Sequence, residues 1–259
     1  MRIGIKVGSS LLTKKGNGIN YPFMVDLCQQ IAKLTAIGHE IFLVTSGAIK
    51  SDPHATRSGN LRAAVGMPRL MAKYIEYLGI YGLEAAQMLL VDWDFEKNSA
   101  FIKTVIEEAL TQGVVPIFNA NDVVSNEEIR NLSELADNDH LFLRLCQLLY
   151  PGMAIMGIDQ PAISDNDGHV RVINRQNYDQ LYEYVSGGNA HRAGQDGAKV
   201  KLAVGRQIAE MGIKFSLAPG HEPNFLVWAV NNLRTDDNSE GGSLGDNCHN
   251  FGTVFVFNH

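Results

Sequence analysis

Lys6 is the first residue of this chain whose type and setting could do chemistry. It ends the apolar run Ile3-Gly4-Ile5-Lys6-Val7 and is followed by Gly8-Ser9-Ser10. A cation beside glycine and hydroxyl residues can hold phosphate. The glycine admits close backbone approach, amides and hydroxyls donate hydrogen bonds, and the ammonium offsets developing charge. Lys-x-Gly alone is common, and on its own a strand end with a solvated lysine is the slightly better account. Comparable groups follow the other apolar runs: Thr45-Ser46-Gly47-Ala48, Asn119-Ala120-Asn121-Asp122, Gly157-Ile158-Asp159 and Ala218-Pro219-Gly220. Each could be a plain turn or helix cap. Gathered at one sheet edge, they suit a phosphorylated nucleotide and a small polar substrate.

The elements that must gather them alternate along the chain. Short β-branched runs predict strands at Ile3–Val7, Ile41–Val44, Gln87–Val91, Val114–Phe118, Ala154–Ile158, Lys214–Leu217 and Thr253–Phe257. Helical spacing of Met24, Leu27, Cys28, Ile31 and Leu34 predicts a helix capped by Asn20 and ended by Gly38. Pro68 suits the first turn of a helix carrying Met71, Tyr74 and Leu78, and Ser99 opens another that Gly113 stops. Further helices are expected over His140–Leu149, Ala198–Met211 and Asn224–Val230. The fold class is therefore α/β: an open, mostly parallel central sheet with helices on both faces, an αβα sandwich. No internal repeat or linker is visible, so residues 1–259 read as one domain, and the polar stretch Arg234–Asn250 reads as a long mobile loop.

Composition narrows the field. The net charge is -6, with no basic block, which argues against nucleic acid as the main partner. No apolar stretch is long enough to span a membrane, and Met1 leads straight into a strand rather than a signal peptide. Cys28 and Cys146 lie in apolar helical patterns and read as core residues; with Cys248 the count is odd and unpatterned. A cytoplasmic location follows.

Taken in order, several segments resemble the amino acid kinase family, and within it the glutamate 5-kinase branch, whose members make γ-glutamyl phosphate for proline synthesis. They are Lys6-Val7-Gly8-Ser9-Ser10-Leu11-Leu12-Thr13, Leu43-Val44-Thr45-Ser46-Gly47-Ala48-Ile49, Ala63-Ala64-Val65-Gly66 with Leu70-Met71, and Gln87-Met88-Leu89-Leu90. Gly113 through Asn119, Asn121-Asp122, Glu128-Ile129-Arg130 and Asp137-Asn138-Asp139 complete the series. The resemblance implies an amino acid kinase fold, with a substrate-binding half over about 1–150 and a nucleotide-binding half over about 151–259. It implies ATP with Mg2+, a small amino acid as acceptor and assembly into a dimer or tetramer. It assigns Lys6, Lys201 and Asp139 to catalysis, the aspartate holding the two lysines. Ser46, Gly47, Asn119, Asp122 and Asn138 fall to the substrate. Lys6, Gly8, Ser9, Asp159, Gly194, Gln195, Gly197 and Lys201 fall to the nucleotide. No metal ligand is assigned, because magnesium would ride on the nucleotide phosphates. The branch's C-terminal RNA-binding-like domain has no room here.

The departures cluster on the nucleotide side. Gly157-Ile158-Asp159-Gln160-Pro161 keeps only the aspartate of a Leu-Thr-Asp-x-x-Gly pattern. Gly194-Gln195-Asp196-Gly197-Ala198-Lys199-Val200-Lys201 keeps the final lysine of a glycine-rich loop but adds an acidic charge, unfavourable beside phosphates. Lys201 is expected in the first turn of a helix starting near Ala198. Lys50-Ser51-Asp52 replaces a small glycine-containing turn. Two other readings therefore stand: a binding module that has lost turnover, and a kinase of the same fold with another acid or a phosphate monoester as acceptor. Retention of both lysines opposes the first, and Asp122 and Asn138 oppose a phosphate acceptor. The residues Asp137–Asp139 also read as a helix N-cap, a role compatible with a site.

Overall fold

A computed structural model describes residues 1–14, 18–124, 137–165, 168–186, 195–235 and 252–257. Its strands are β1 (Arg2–Val7), β2 (Glu40–Val44), β3 (Ala85–Leu90), β4 (Val115–Ala120), β5 (Met153–Ile158), β6 (Ile163–Ser164), β7 (His169–Val170), β8 (Val172–Asn174), β9 (Lys214–Pro219) and β10 (Thr253–Val256). Its helices are α1 (Ser9–Leu12), α2 (Tyr21–Ala36), α3 (Ala48–Ser51), α4 (Gly59–Gly79), α5 (Asp92–Thr111), α6 (Asp137–Leu149), α7 (Tyr178–Ser186), α8 (Gln195–Glu210) and α9 (Phe225–Thr235). Eight strands form one sheet in the order β3-β4-β2-β1-β5-β9-β10-β8. Only the β9–β10 pair runs antiparallel. The expected open, mostly parallel sheet is the observed one, and β6 and β7 add a separate hairpin.

Strand alternation sorts the core into two layers. Ile3, Ile5, Val7, Ile41, Leu43 and Ile117 face α2, α4 and α9. Phe42, Val44, Phe118, Ala154 and Met156 face α5, α6, α7 and α8. Gly4 belongs to the second face, and a Cβ there would meet the Phe42 ring at 2.5 Å. Lys6, two residues on, emerges on that same face, toward α6. The period of two thus decides which helix the lysine meets. Cys28 and Cys146 are core residues as expected; burial pushes the Cys28 thiol up to about 12 and that of Cys146 higher still. Among the described residues, no helix is long and apolar enough to cross a membrane.

Four helix starts differ from expectation; the helix expected from His140 begins at Asp137. Pro68 lies inside α4, which begins at Gly59 with Ser58 Oγ accepting from the Leu61 amide at 3.4 Å. The apolar stripe of Ala63, Met67, Leu70, Met71 and Tyr74 runs past the proline, which sits on the exposed face where the lost hydrogen bond costs least. The helix expected from Ser99 begins at Asp92 and is interrupted at Asn98 (φ -126, ψ 15). Asp94 accepts from the Val91 amide at 2.8 Å, and acidic first-turn residues suit the positive helix end. The helix expected near Ala198 starts at Gln195. Glu128-Ile129-Arg130, Gly194, Cys248 and most of Arg234–Asn250 lie outside the described residues, as do the side chains of Asp137, Gln195 and Asp196.

Candidate active site

The carboxyl ends of β1, β2, β4 and β5 open into one cleft of about 1110 Å³, roomy enough for more than one small ligand. It is lined by every expected site residue but Gly194 and Gln195; Gly194 and the Gln195 side chain lie outside the described residues. β1 lies between β2, reached early in the chain, and β5, reached after the excursion to the β3 edge. Such a reversal of strand order leaves a crevice for ligands.

Lys6 is 5% exposed and forms an ion pair with Asp139, itself 3% exposed. The solvated-lysine account of Lys6 is thereby excluded. Asp139 stands in the first turn of α6, which packs on β1, β2 and β4. Asn138, beside it, accepts from the Ala120 amide at 3.0 Å and so ties the start of α6 to the end of β4. Lys201 comes from α8, which packs on α6, and its Nζ lies 3.9 Å from Asp139 Oδ2. It is set a turn deeper than expected, because α8 starts at Gln195, and its ammonium donates to the Gly197 carbonyl at 3.0 Å. Burial lowers the Lys201 pKa; Asp139 offsets part of the shift, and Lys6 adds to it. Two cations therefore share one buried carboxylate, Lys6 buried and Lys201 half-buried, an arrangement that favours an incoming anion.

Gly8 has an extended backbone that any residue adopts (φ -77, ψ 158). A Cβ there would find its nearest protein neighbour at 3.7 Å and Lys6 Nζ at 4.0 Å. The fold does not require this glycine; the space it leaves beside the Lys6 ammonium is what a phosphate would use. Gly47 differs: its φ of 91 is the left-handed turn that starts α3. Ser46 is buried next to it.

On the far side, Asn119 is 1% exposed and stands one residue before the end of β4. Its Nδ2 donates to Met67 Sδ at 3.5 Å, and its buried Oδ1 has no hydrogen-bond partner among the described residues. Asp122 follows in a turn, with its carbonyl accepting from Asn60 Nδ2. Asp159 sits at the opposite rim, paired with His221. No group of His, Cys, Asp and Glu among the described residues could hold a metal ion. Both Asp139 oxygens face lysines, so that carboxylate is not open to a divalent cation.

Lys50 lines the cleft and was noted in the sequence only as a departure. Ser164, Asp165, Tyr184 and Val185 were not anticipated at all. They arrive on β6 and α7; the helical spacing of Tyr178, Leu181 and Val185 was the available signal.

Residues 1–218 match the model of the amino acid kinase family. The chain is 33% identical over 251 residues to the glutamate 5-kinase of Trichlorobacter lovleyi, covering 88% of this chain but 64% of that protein. It is 34% identical over 240 residues to that of Symbiobacterium thermophilum, covering 87% of this chain and 90% of that one. The first of these relatives thus extends well beyond the matched length. Among solved structures, a UMP kinase from Ureaplasma parvum superposes with a TM-score of 0.60 at 15% identity over 99% of both chains. N-acetylglutamate synthase from Neisseria gonorrhoeae gives 0.63 at 11% identity, over 90% of this chain and 56% of that one. The fold, the family match and the relatives agree, and the chain belongs to the amino acid kinase family.

Proposed function

We propose that the chain transfers the γ-phosphoryl group of ATP to a side-chain carboxylate, with L-glutamate as acceptor and L-glutamyl 5-phosphate as product, as in proline biosynthesis. The observation that carries this reading is the Lys6–Asp139–Lys201 cluster in the cleft, built on a buried carboxylate, in a chain related to glutamate 5-kinases. Phosphoryl transfer to a carboxylate brings two anions together through a loose transition state, so positioning and positive charge supply most of the catalysis. The acceptor carboxylate is ionised at neutral pH and needs no general base.

Lys6 and Lys201 meet the transferring group from two elements, and Asp139 holds both ammonium groups in place. Gly8 and Ser9 flank the phosphoryl, and Gly197 and Asp159 line the nucleotide end, to which Gln195 and Gly194 are also assigned. Ser46, Gly47, Asn119, Asp122 and Asn138 surround the amino acid, with the Asp122 carboxylate directed at its ammonium. Magnesium, when bound with ATP, neutralises phosphate charge. The same reading includes substrate and nucleotide halves meeting near residue 150, a cytoplasmic location and a dimer or tetramer.

ADP release with glutamate, and hydroxamate formed when hydroxylamine traps the acyl phosphate, are the expected results. Folded protein that gives neither with glutamate or close analogues would leave a binding module in its place.

A further inference from the structure

We propose that Lys50 is a specificity residue that takes the acceptor's second carboxylate, an inference that rests on the acceptor being an amino dicarboxylate. Three cationic side chains line the cleft among the described residues: Lys6, Lys50 and Lys201. Two of them share Asp139. Lys50 has no acidic partner among the described residues; its Nζ makes one long contact, 3.5 Å to Ser9 Oγ. Its backbone is pinned. The Gly18 amide donates to the Lys50 carbonyl at 2.9 Å, and α3 is held between Gly47 and the buried Asp52. The exposed ammonium is therefore delivered to the cleft by a fixed stem and is free to turn within it.

Charge matching supplies the rest. An amino dicarboxylate presents one ammonium and two carboxylates. The reacting carboxylate meets Lys6 and Lys201, and the ammonium meets Asp122. The remaining carboxylate would enter the cleft uncompensated unless a third cation met it, and Lys50 is the lining cation left over. Its place in α3, after β2, and its contact with Ser9 after β1 put it on the β2 side of the cleft, whereas Asp159 follows β5 on the other side of β1. A charge-assisted contact of this kind sets affinity more than turnover.

The test titrates L-glutamate and its α-amide, which lacks the second carboxylate, into wild type, Lys50→Met and Lys50→Arg. Each titration contains magnesium and a non-hydrolysable ATP analogue. The glutamate dissociation constant should rise about tenfold or more in Lys50→Met and recover in part in Lys50→Arg. The α-amide should bind wild type and Lys50→Met alike. Equal losses for both ligands, unchanged glutamate binding in Lys50→Met, or wild type that binds no glutamate would overturn the inference. ADP release by the same preparations separates the two readings. Wild type that binds glutamate but releases no ADP defeats the kinase reading, while the titrations still decide Lys50.

Discussion

Two lysines around a single buried aspartate make a local excess of positive charge, and each residue of the cluster should respond in its own way. Lys6→Ala should cut turnover per folded molecule by roughly a hundredfold or more, and the melting temperature should fall because Asp139 loses its closest cation. Lys201→Met should also abolish turnover but raise the melting temperature at neutral pH. Its folded-state pKa lies below the ordinary lysine value, chiefly through burial. The unfolded chain thus holds that proton more tightly. Wild-type stability therefore gains as pH climbs through the folded pKa toward the unfolded one, and the variant should lack that alkaline gain. Thermal melts from neutral to alkaline pH, paired with hydroxamate assays, check both variants. Gly8→Ala adds a methyl group that the fold accommodates at ordinary contact distance. Its melting temperature should match wild type while its Michaelis constant for ATP rises about tenfold, the signature of lost ligand space.

At the scale of elements, Asp52 shows how a substituted turn is held. Its buried carboxylate accepts from the His54 amide at 3.2 Å and faces Arg57, while Arg62 reaches its carbonyl at 3.2 Å. Burial alone would raise its pKa, but His54 and Arg57 outweigh that and hold it below the usual carboxylate range. Its contribution to stability is thus complete above the unfolded pKa and lost as pH falls through the folded one. Asp52→Asn should lower the melting temperature by a few degrees at pH 7, and the gap should close toward the acid limit, as calorimetry from pH 7 to 3 would record. Strands were legible in the sequence because β-branched runs bounded by glycine leave few alternatives; β1, β2, β4 and β5 fall within a residue or two of their expected limits. Helix starts were less so. The beginning of α5 depends on one carboxylate turning back to an amide, and α4 runs through a proline that periodicity treats as a boundary. The cleft floor could be read because glycine, lysine and aspartate follow strands directly. The walls from β6 and α7 could not, since that part of the chain reaches the site only through tertiary packing.

Across the whole molecule, one helix touches both acceptor-side loops. Gly66 of α4 lies so close to α3 that an added Cβ would stand 1.9 Å from the Ala48 carbonyl oxygen. Seven residues earlier in the same helix begins its first turn, where Asn60 holds the Asp122 carbonyl. Gly66→Ala should therefore push α3 outward, raise the Michaelis constant for the acceptor about tenfold and leave that for ATP nearly unchanged; steady-state kinetics with both substrates would check this. Because α4 is a rigid rod rather than a hinge, the spacing between Lys50 and Asp122 is a fixed length written into its turns. Under the proposed function the cleft would then work as a gauge: acceptors one methylene too short or too long would meet the same charges at the wrong separation, and the substrate would be selected by measuring it.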